Sequence, residues 1–199
     1  MSVNVLVIPE DFRKDQYVLK PLVERLMQDV VSKPRVRVCC DPLLGGVDQA
    51  TRWDRIQEIV DRYRGMTKVF LLIVDRDGEP DRTKALAGLE SRAAALLEGT
   101  AAVFLAENAW QEVEVWILAG MTDLPKDWKW ADIRAERDPK ESYFEPYVRL
   151  RGLQDILQSG RDVLAREAAA RYKRVRQLCP EDLGRLEGRL RDALGELSV

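Results

Sequence analysis

Carboxylates stand where an apolar run of this chain stops. The stretch FLLIVDRDGEPD, residues 70–81, passes from five apolar residues directly into Asp75, Asp77, Glu79 and Asp81. Acids at i and i+2 in extended chain share one side, and Gly78 then lets the backbone turn away. Glu10 and Asp11 follow another apolar run, VNVLVIP, at residues 3–9. If the two runs are neighbouring strands, Glu10, Asp75 and Asp77 converge. Carboxylates so gathered repel one another and rise in pKa, and a divalent cation between them resolves the conflict. The competing reading is that aspartates after strands cap helices and form turns; the pairing of Glu10 with the Asp75–Asp77 motif is what favours the ion. The chain contains no histidine. That excludes Ser-His-Asp and Cys-His catalysis and imidazole-ligated zinc, haem or non-haem iron. Oxygen ligands remain, and these suit magnesium, manganese or calcium. Cys39, Cys40 and Cys179 lack metal-ligand spacing and read as buried free thiols.

Such acids need a rigid scaffold, and the apolar spacing supplies one. VNVLVI is followed by helical spacing at Tyr17, Val18, Leu22, Val23, Leu26, Met27 and Val30. RVRVCC (35–40) leads through the breaker DPLLGG to WDRIQEIVDRYR, with Ile56, Ile59, Val60 and Tyr63 in register. KVFLLIV (68–74) precedes the helix KALAGLESRAAALLEG, and AAVFLA (101–106) is a fourth strand. Repeated strand-then-helix units predict an α/β fold with a mostly parallel sheet of about four strands flanked by helices. The unbroken apolar run of KVFLLIV marks a strand buried on both faces. Ligands of such sheets bind at the carboxyl ends of the strands, where the acids stand. Asn108 with Gln111 three residues later is a capping-box signal, so a helix is predicted from near Ala109, with Val113, Trp116, Ile117 and Gly120 on its inner face. Residues 121–142 read as a long loop carrying Trp128 and Trp130. Helices are predicted from Pro139 to about Leu157, from Gly160 to Leu178, and from Pro180 to Leu197, the last with Leu183, Leu186, Leu190, Leu194 and Leu197 along one face. Residues 1–130 thus form an α/β core and 131–199 a helical cap packed on it, in one folding unit.

The 199 residues with 46% hydrophobic content suffice for a single core. A net charge of −2, from 32 basic and 34 acidic residues, argues against a surface given over wholly to nucleic acid or membrane. No apolar run approaches the roughly 20 residues of a membrane span. The N-terminal segment lacks the basic, apolar and small-residue parts of a signal peptide, so a cytoplasmic location is expected. One stretch is markedly basic: Arg161, Arg166, Arg171, Lys173, Arg174 and Arg176 face only Asp162 and Glu167. Arg171, Lys173, Arg174 and Arg176 are therefore candidate contacts to nucleic-acid phosphates, against the alternative of a solvated helix face in which only Tyr172 interleaves the charges.

A glutamate after the first strand and a DxD at the end of a later buried strand resemble the Toprim fold of topoisomerases, primases, overcoming-lysogenisation-defect nucleases and RloB-like proteins. YVLKPLVERL, LLGG, LLIVDRDG, QEVEVWILAG and DPKESY occur in the order seen in small bacterial Toprim-like proteins, and the likeness spans residues 3 to 195. It implies a divalent-metal-dependent nuclease or related phosphodiester phosphoryl-transfer enzyme using magnesium or manganese, and a setting in anti-phage defence. By the same resemblance Glu10 manages a proton or helps hold metal, Asp75 and Asp77 bind metal, and Glu114 matches the acid of a later motif. Glu112 matches a second acid two residues earlier. Because residues 112 and 114 lie about 200° apart on a helix, only Glu114 is expected to face the site. Lys140 matches a lysine that contacts phosphate, although Asp138, Pro139 and Glu141 also read as a helix start. The likeness departs at Asp11, where glycine is usual, and at Lys14, where an acid is usual and Asp15 comes one place late. Those departures support a second reading, a catalytically degenerate Toprim-like subunit regulating a partner ATPase, with Trp128 and Trp130 as anchors. DRDG also resembles the nucleophile motif of haloacid-dehalogenase-like phosphatases, but Glu79 stands where Thr or Val is preferred. A receiver domain would need a lysine after a fifth strand.

Overall fold

Residues 2–196 are described by the computed structural model. The apolar runs form four strands, β1 (Val3–Pro9), β2 (Pro34–Val38), β3 (Val69–Asp75) and β4 (Val103–Ala109). All pair in parallel, in the order β2-β1-β3-β4. Strand pleating divides their side chains between two cores. Val5, Val7, Val69, Leu71 and Ile73 face one layer of helices, while Leu6, Ile8, Phe70, Leu72 and Val74 face the other. With both faces covered, the two inner strands are apolar at nearly every position.

The first layer holds α1 (Phe12–Val30) together with later helices of the chain. The second holds α2 (Val47–Ala50), α3 (Trp53–Tyr63) and α4 (Arg82–Leu96). From β1 the chain crosses to β2, returns over β1 to β3, and continues outward to β4. The direction of winding therefore reverses between β1 and β3, and the crevice at a parallel sheet's reversal is where ligands sit.

Beyond β4 the predicted boundaries shift. β4 runs to Ala109 rather than ending at Ala106, and α5 begins at Glu114 rather than near Ala109. The Asn108 side chain caps no helix; its Oδ1 accepts from Thr83 Oγ at 3.0 Å. Gln111 explains the delay. It has φ 71°, its carbonyl accepts the amides of Arg76 (2.7 Å) and Asp77 (3.2 Å), and its side chain accepts the Gly78 amide at 2.8 Å. A residue so committed to the turn after β3 cannot also begin a helix.

The segment expected as a loop contains α6 (Trp130–Ala135), whose Trp130 Nε1 donates to the Leu178 carbonyl at 3.1 Å. Trp128 meets Tyr143 edge-on, and both tryptophans pack against the first core. The helix expected over 139–157 is a π turn, Lys140–Phe144, that runs into α7 (Glu145–Leu150) and stops. A 3-10 turn at Leu157–Gly160 follows, with Gln158 and Ser159 at positive φ. The helix expected over 160–178 is divided at Arg171 into α8 (Arg161–Ala170) and α9 (Tyr172–Leu178). A second π turn, Pro180–Gly184, leads into α10 (Arg185–Glu196). Leu183, Leu186, Leu190 and Leu194 are buried as a stripe; Leu197 lies outside the described residues. Cys39 and Cys179 are buried free thiols, whereas Cys40, just past the edge strand, is exposed.

α5 and α8 cross with almost no gap: a Cβ on Gly120 would stand 2.4 Å from Ala168 Cα. This contact draws α8, and with it Arg161, toward the residues at the start of α5. No helix among the described residues is long and apolar enough to cross a membrane.

Candidate functional site

Four carboxylates meet at the carboxyl edge of β1 and β3. Glu10 follows β1, and its Oε2 accepts the Asp75 amide at 3.1 Å. Asp75 closes β3, and its Oδ1 accepts the Val113 amide at 2.9 Å. That bond ties the segment before α5 to the strand end. Glu112 precedes the helix and Glu114 opens it, so the angular argument for a shared helix does not apply. One carboxylate oxygen from each of Asp75, Glu112 and Glu114 lies within 4.8 Å of the others. A cleft of ≈ 290 Å³ is lined by these residues together with Glu10, Asp11, Lys14, Asp15, Asp77, Lys140 and the Gly45–Gly46 loop. Gly46, at φ 109°, donates its amide to the Glu10 carbonyl at 3.0 Å and pins that loop beside the end of β1.

Asp77 lines the same cleft as Glu10 and Asp75, but from the turn rather than from the strand. β3 ends at Asp75, and Asp77 sits in the following turn at φ 53°. Alternation along a strand therefore does not reach it. Its carboxylate turns to the exposed rim, 4.0 Å from Arg82, and it is Glu112 that joins Asp75 and Glu114.

Asp11 is the N-cap of α1: its side chain accepts the Arg13 amide at 2.9 Å. Its own φ of −129° lies in ordinary extended space, so no glycine is required there. Asp15 reaches back to accept the Asp11 amide at 2.9 Å and lies against the cleft. Sequence reasoning passed over it as one place late; the signal was its position in the first turn of a helix, where an acid can satisfy an exposed amide.

Electrostatics in the cleft follow from crowding. Burial pushes Asp75 well above the usual carboxylate range, and the charges of Glu10 and Glu114 push it further. Glu10 is raised by burial despite the Asp75 amide, with Asp77 and Glu114 adding to the rise. Asp15 is raised to about 7 by burial, then by Glu10 and Glu114. Glu112 is likewise raised to about 7, chiefly by burial.

Two cations answer these acids. Lys140 donates its amide to Glu112 Oε2 at 2.7 Å, while its ammonium pairs with Glu141 at 3.0 Å on the cleft rim. Arg161 is the larger surprise. Expected in an exposed basic run, it is buried, and its Nε (3.1 Å) and Nη2 (2.8 Å) both donate to Glu114 Oε1. Nothing local to Arg161 signals this, because its partner is 47 residues away. The remainder of the basic run is partly spoken for as well. Arg171 donates to the Gly120 carbonyl at 3.4 Å, and Arg176 pairs at 2.8 Å with buried Glu187. Lys173 and Arg174 are exposed.

The donor set of Asp75, Glu112 and Glu114 is all oxygen, as hard divalent cations require. Opposed ligands on an ion with bonds of about 2.0 to 2.6 Å stand about 4 to 5 Å apart, so the observed spacing admits one. Glu10 and Asp15 stand beside that set rather than in it. No family model, curated protein or solved structure matches the chain.

Proposed function

We propose that the chain is a Toprim-like, divalent-metal-dependent phosphoryl-transfer enzyme, a nuclease acting on phosphodiesters with magnesium or manganese. The observation that carries this reading is the meeting of Glu10, Asp75, Glu112 and Glu114 at the reversal point of a parallel sheet. So many carboxylates in one cleft are costly unless a cation joins them. Asp75, Glu112 and Glu114 hold the ion. When bound, the ion supplies charge stabilisation at phosphoryl oxygens and acidifies water. Glu10 keeps its Oε2 on the Asp75 amide, which leaves Oε1 to take a proton from an attacking water. Its raised pKa suits that work. Lys140, on the rim, offers its ammonium to a substrate phosphate once it leaves Glu141.

The test is a thermal melt with and without magnesium or manganese, beside cleavage of labelled DNA and RNA. An ion that binds only the folded chain raises its melting temperature by mass action. Asp75→Asn with Glu112→Gln is expected to abolish both the rise and any cleavage. No rise at millimolar metal, with no cleavage, would sink the proposal.

One observation favours the second reading, a regulatory subunit of a partner ATPase: Arg161 already neutralises Glu114 from within the chain. Metal-dependent stabilisation without cleavage of any nucleic acid would select it.

A further inference from the structure

The opposite edge of the sheet is also open, and its charge is reversed. Two clefts of ≈ 300 and ≈ 310 Å³ adjoin at the amino ends of the strands, sharing Asn4, Met66 and Thr67. Arg35 and Arg37 line the first, and Arg64 and Lys68 line the second. No carboxylate lines either. Arg35 and Arg37 alternate with buried Val36, so both guanidinium groups rise from the same face of β2. Most arginines in the described residues hold an ion pair or lie over an aromatic ring; Arg35 and Arg37 hold neither. Both side chains are exposed.

The walls of the first cleft are of another kind. Leu6, the ring of Tyr63 and Met66 form them, and Met66 is 57% exposed. Tyr63 is fixed by its hydroxyl, which donates to the Asp41 carbonyl at 2.9 Å. Asn4 Nδ2 donates to the Met66 carbonyl at 2.8 Å, leaving its Oδ1 as an acceptor in the cleft. Two unpaired arginines beside a fixed ring and an exposed thioether make a composite site: a fork for phosphate and an apolar shelf for a planar ring. The volume sits at the lower end for small-molecule pockets, about 300 Å³ and upward.

We propose that this cleft binds a nucleoside phosphate, its phosphate between Arg35 and Arg37 and its base against Tyr63 and Met66. The site is separate from the acidic cleft. β1 carries Asn4 at one edge and leads to Glu10 at the other, six residues or about 20 Å at roughly 3.3 Å each. It therefore does not depend on the metal reading.

The test uses the full chain without divalent metal, and adenosine 5′-monophosphate, guanosine 5′-monophosphate, adenosine and inorganic phosphate as separate probes. At ten times its Kd a nucleotide is expected to raise the melting temperature by about 3 to 6 °C, while adenosine or phosphate alone gives much less. Arg35→Gln with Arg37→Gln is expected to keep the unliganded melting temperature, since both side chains are exposed, and to lose the nucleotide response. Asp75→Asn is expected to keep that response, which separates failure here from failure of the metal reading. Absence of any rise with either nucleotide at 10 mM would overturn the proposal, as would an equal rise in the double arginine variant. A response to inorganic phosphate equal to that of the nucleotides would also overturn it, by showing an anion site with no place for a base.

Discussion

Replacing Asp15 by asparagine tests whether the carboxylates of the cleft burden the metal-free fold. Asp15 accepts the Asp11 amide through one oxygen, and an asparagine carbonyl oxygen can accept the same bond, so the substitution removes charge while keeping the contact. The carboxyl rises from 3.8 to about 7 on folding, with burial first among the causes and the charges of Glu10, Glu114 and Asp11 behind it. Its sign follows from linkage. The folded chain holds this proton more tightly than the unfolded chain, so folding is helped by protonation, and stability is lost as pH rises from about 4 to about 7. Above that range the loss is complete. By linkage a rise of that size corresponds to about 4 kcal/mol lost between pH 4 and pH 8. Asparagine does not ionise. Urea denaturation is therefore expected to find Asp15→Asn equal to wild type near pH 4 and about 4 kcal/mol more stable at pH 8. Magnesium at pH 8 is expected to narrow the gap, because an ion offsets the same repulsion in the wild type. A difference that stays constant from pH 4 to pH 8 would refute the argument, and so would a variant less stable at pH 8.

Two further outcomes follow from packing and pairing around the cleft. Arg161→Met leaves Glu114 buried without its counter-charge, and urea denaturation is expected to show a loss of about 3 to 5 kcal/mol; the rise in melting temperature on adding magnesium is expected to exceed that of wild type, since an ion then meets one more unpaired carboxylate, and an unchanged rise would show that Arg161 does not act on the site. Gly120→Ala forces a methyl to 2.4 Å from Ala168 Cα and is expected to cost about 1 to 3 kcal/mol or more by parting α5 from α8; a thermal melt matching wild type would mean that the two helices do not approach so closely.

Strands and the first helices were legible because their signals are local: an apolar run of five to seven residues, then helical spacing, then a breaker. Strand ends in turn located Glu10 and Asp75, and motif order located Glu114, which the structure sets around one cleft. Legibility ended wherever a residue's backbone or charge answers to a distant partner. Asn108 and Gln111 have the spacing of a capping box, yet Gln111 holds the amides of the turn after β3, more than thirty residues earlier, and the helix waits until Glu114. That delay is what puts Glu112 beside Asp75, and no helical-wheel argument could have found it. Asp77 does line the cleft, but its place on the rim depends on where β3 stops, and β3 stops where Glu10 takes the Asp75 amide. Arg161 is the clearest instance. Among five other basic residues it reads as solvated, but the close crossing of Gly120 and Ala168 brings the start of α8 against the start of α5, and Arg161 is turned inward to Glu114. A small residue at one helix crossing thus decides the charge at a site two helical turns away, and the charge pattern of either segment alone carries no trace of it.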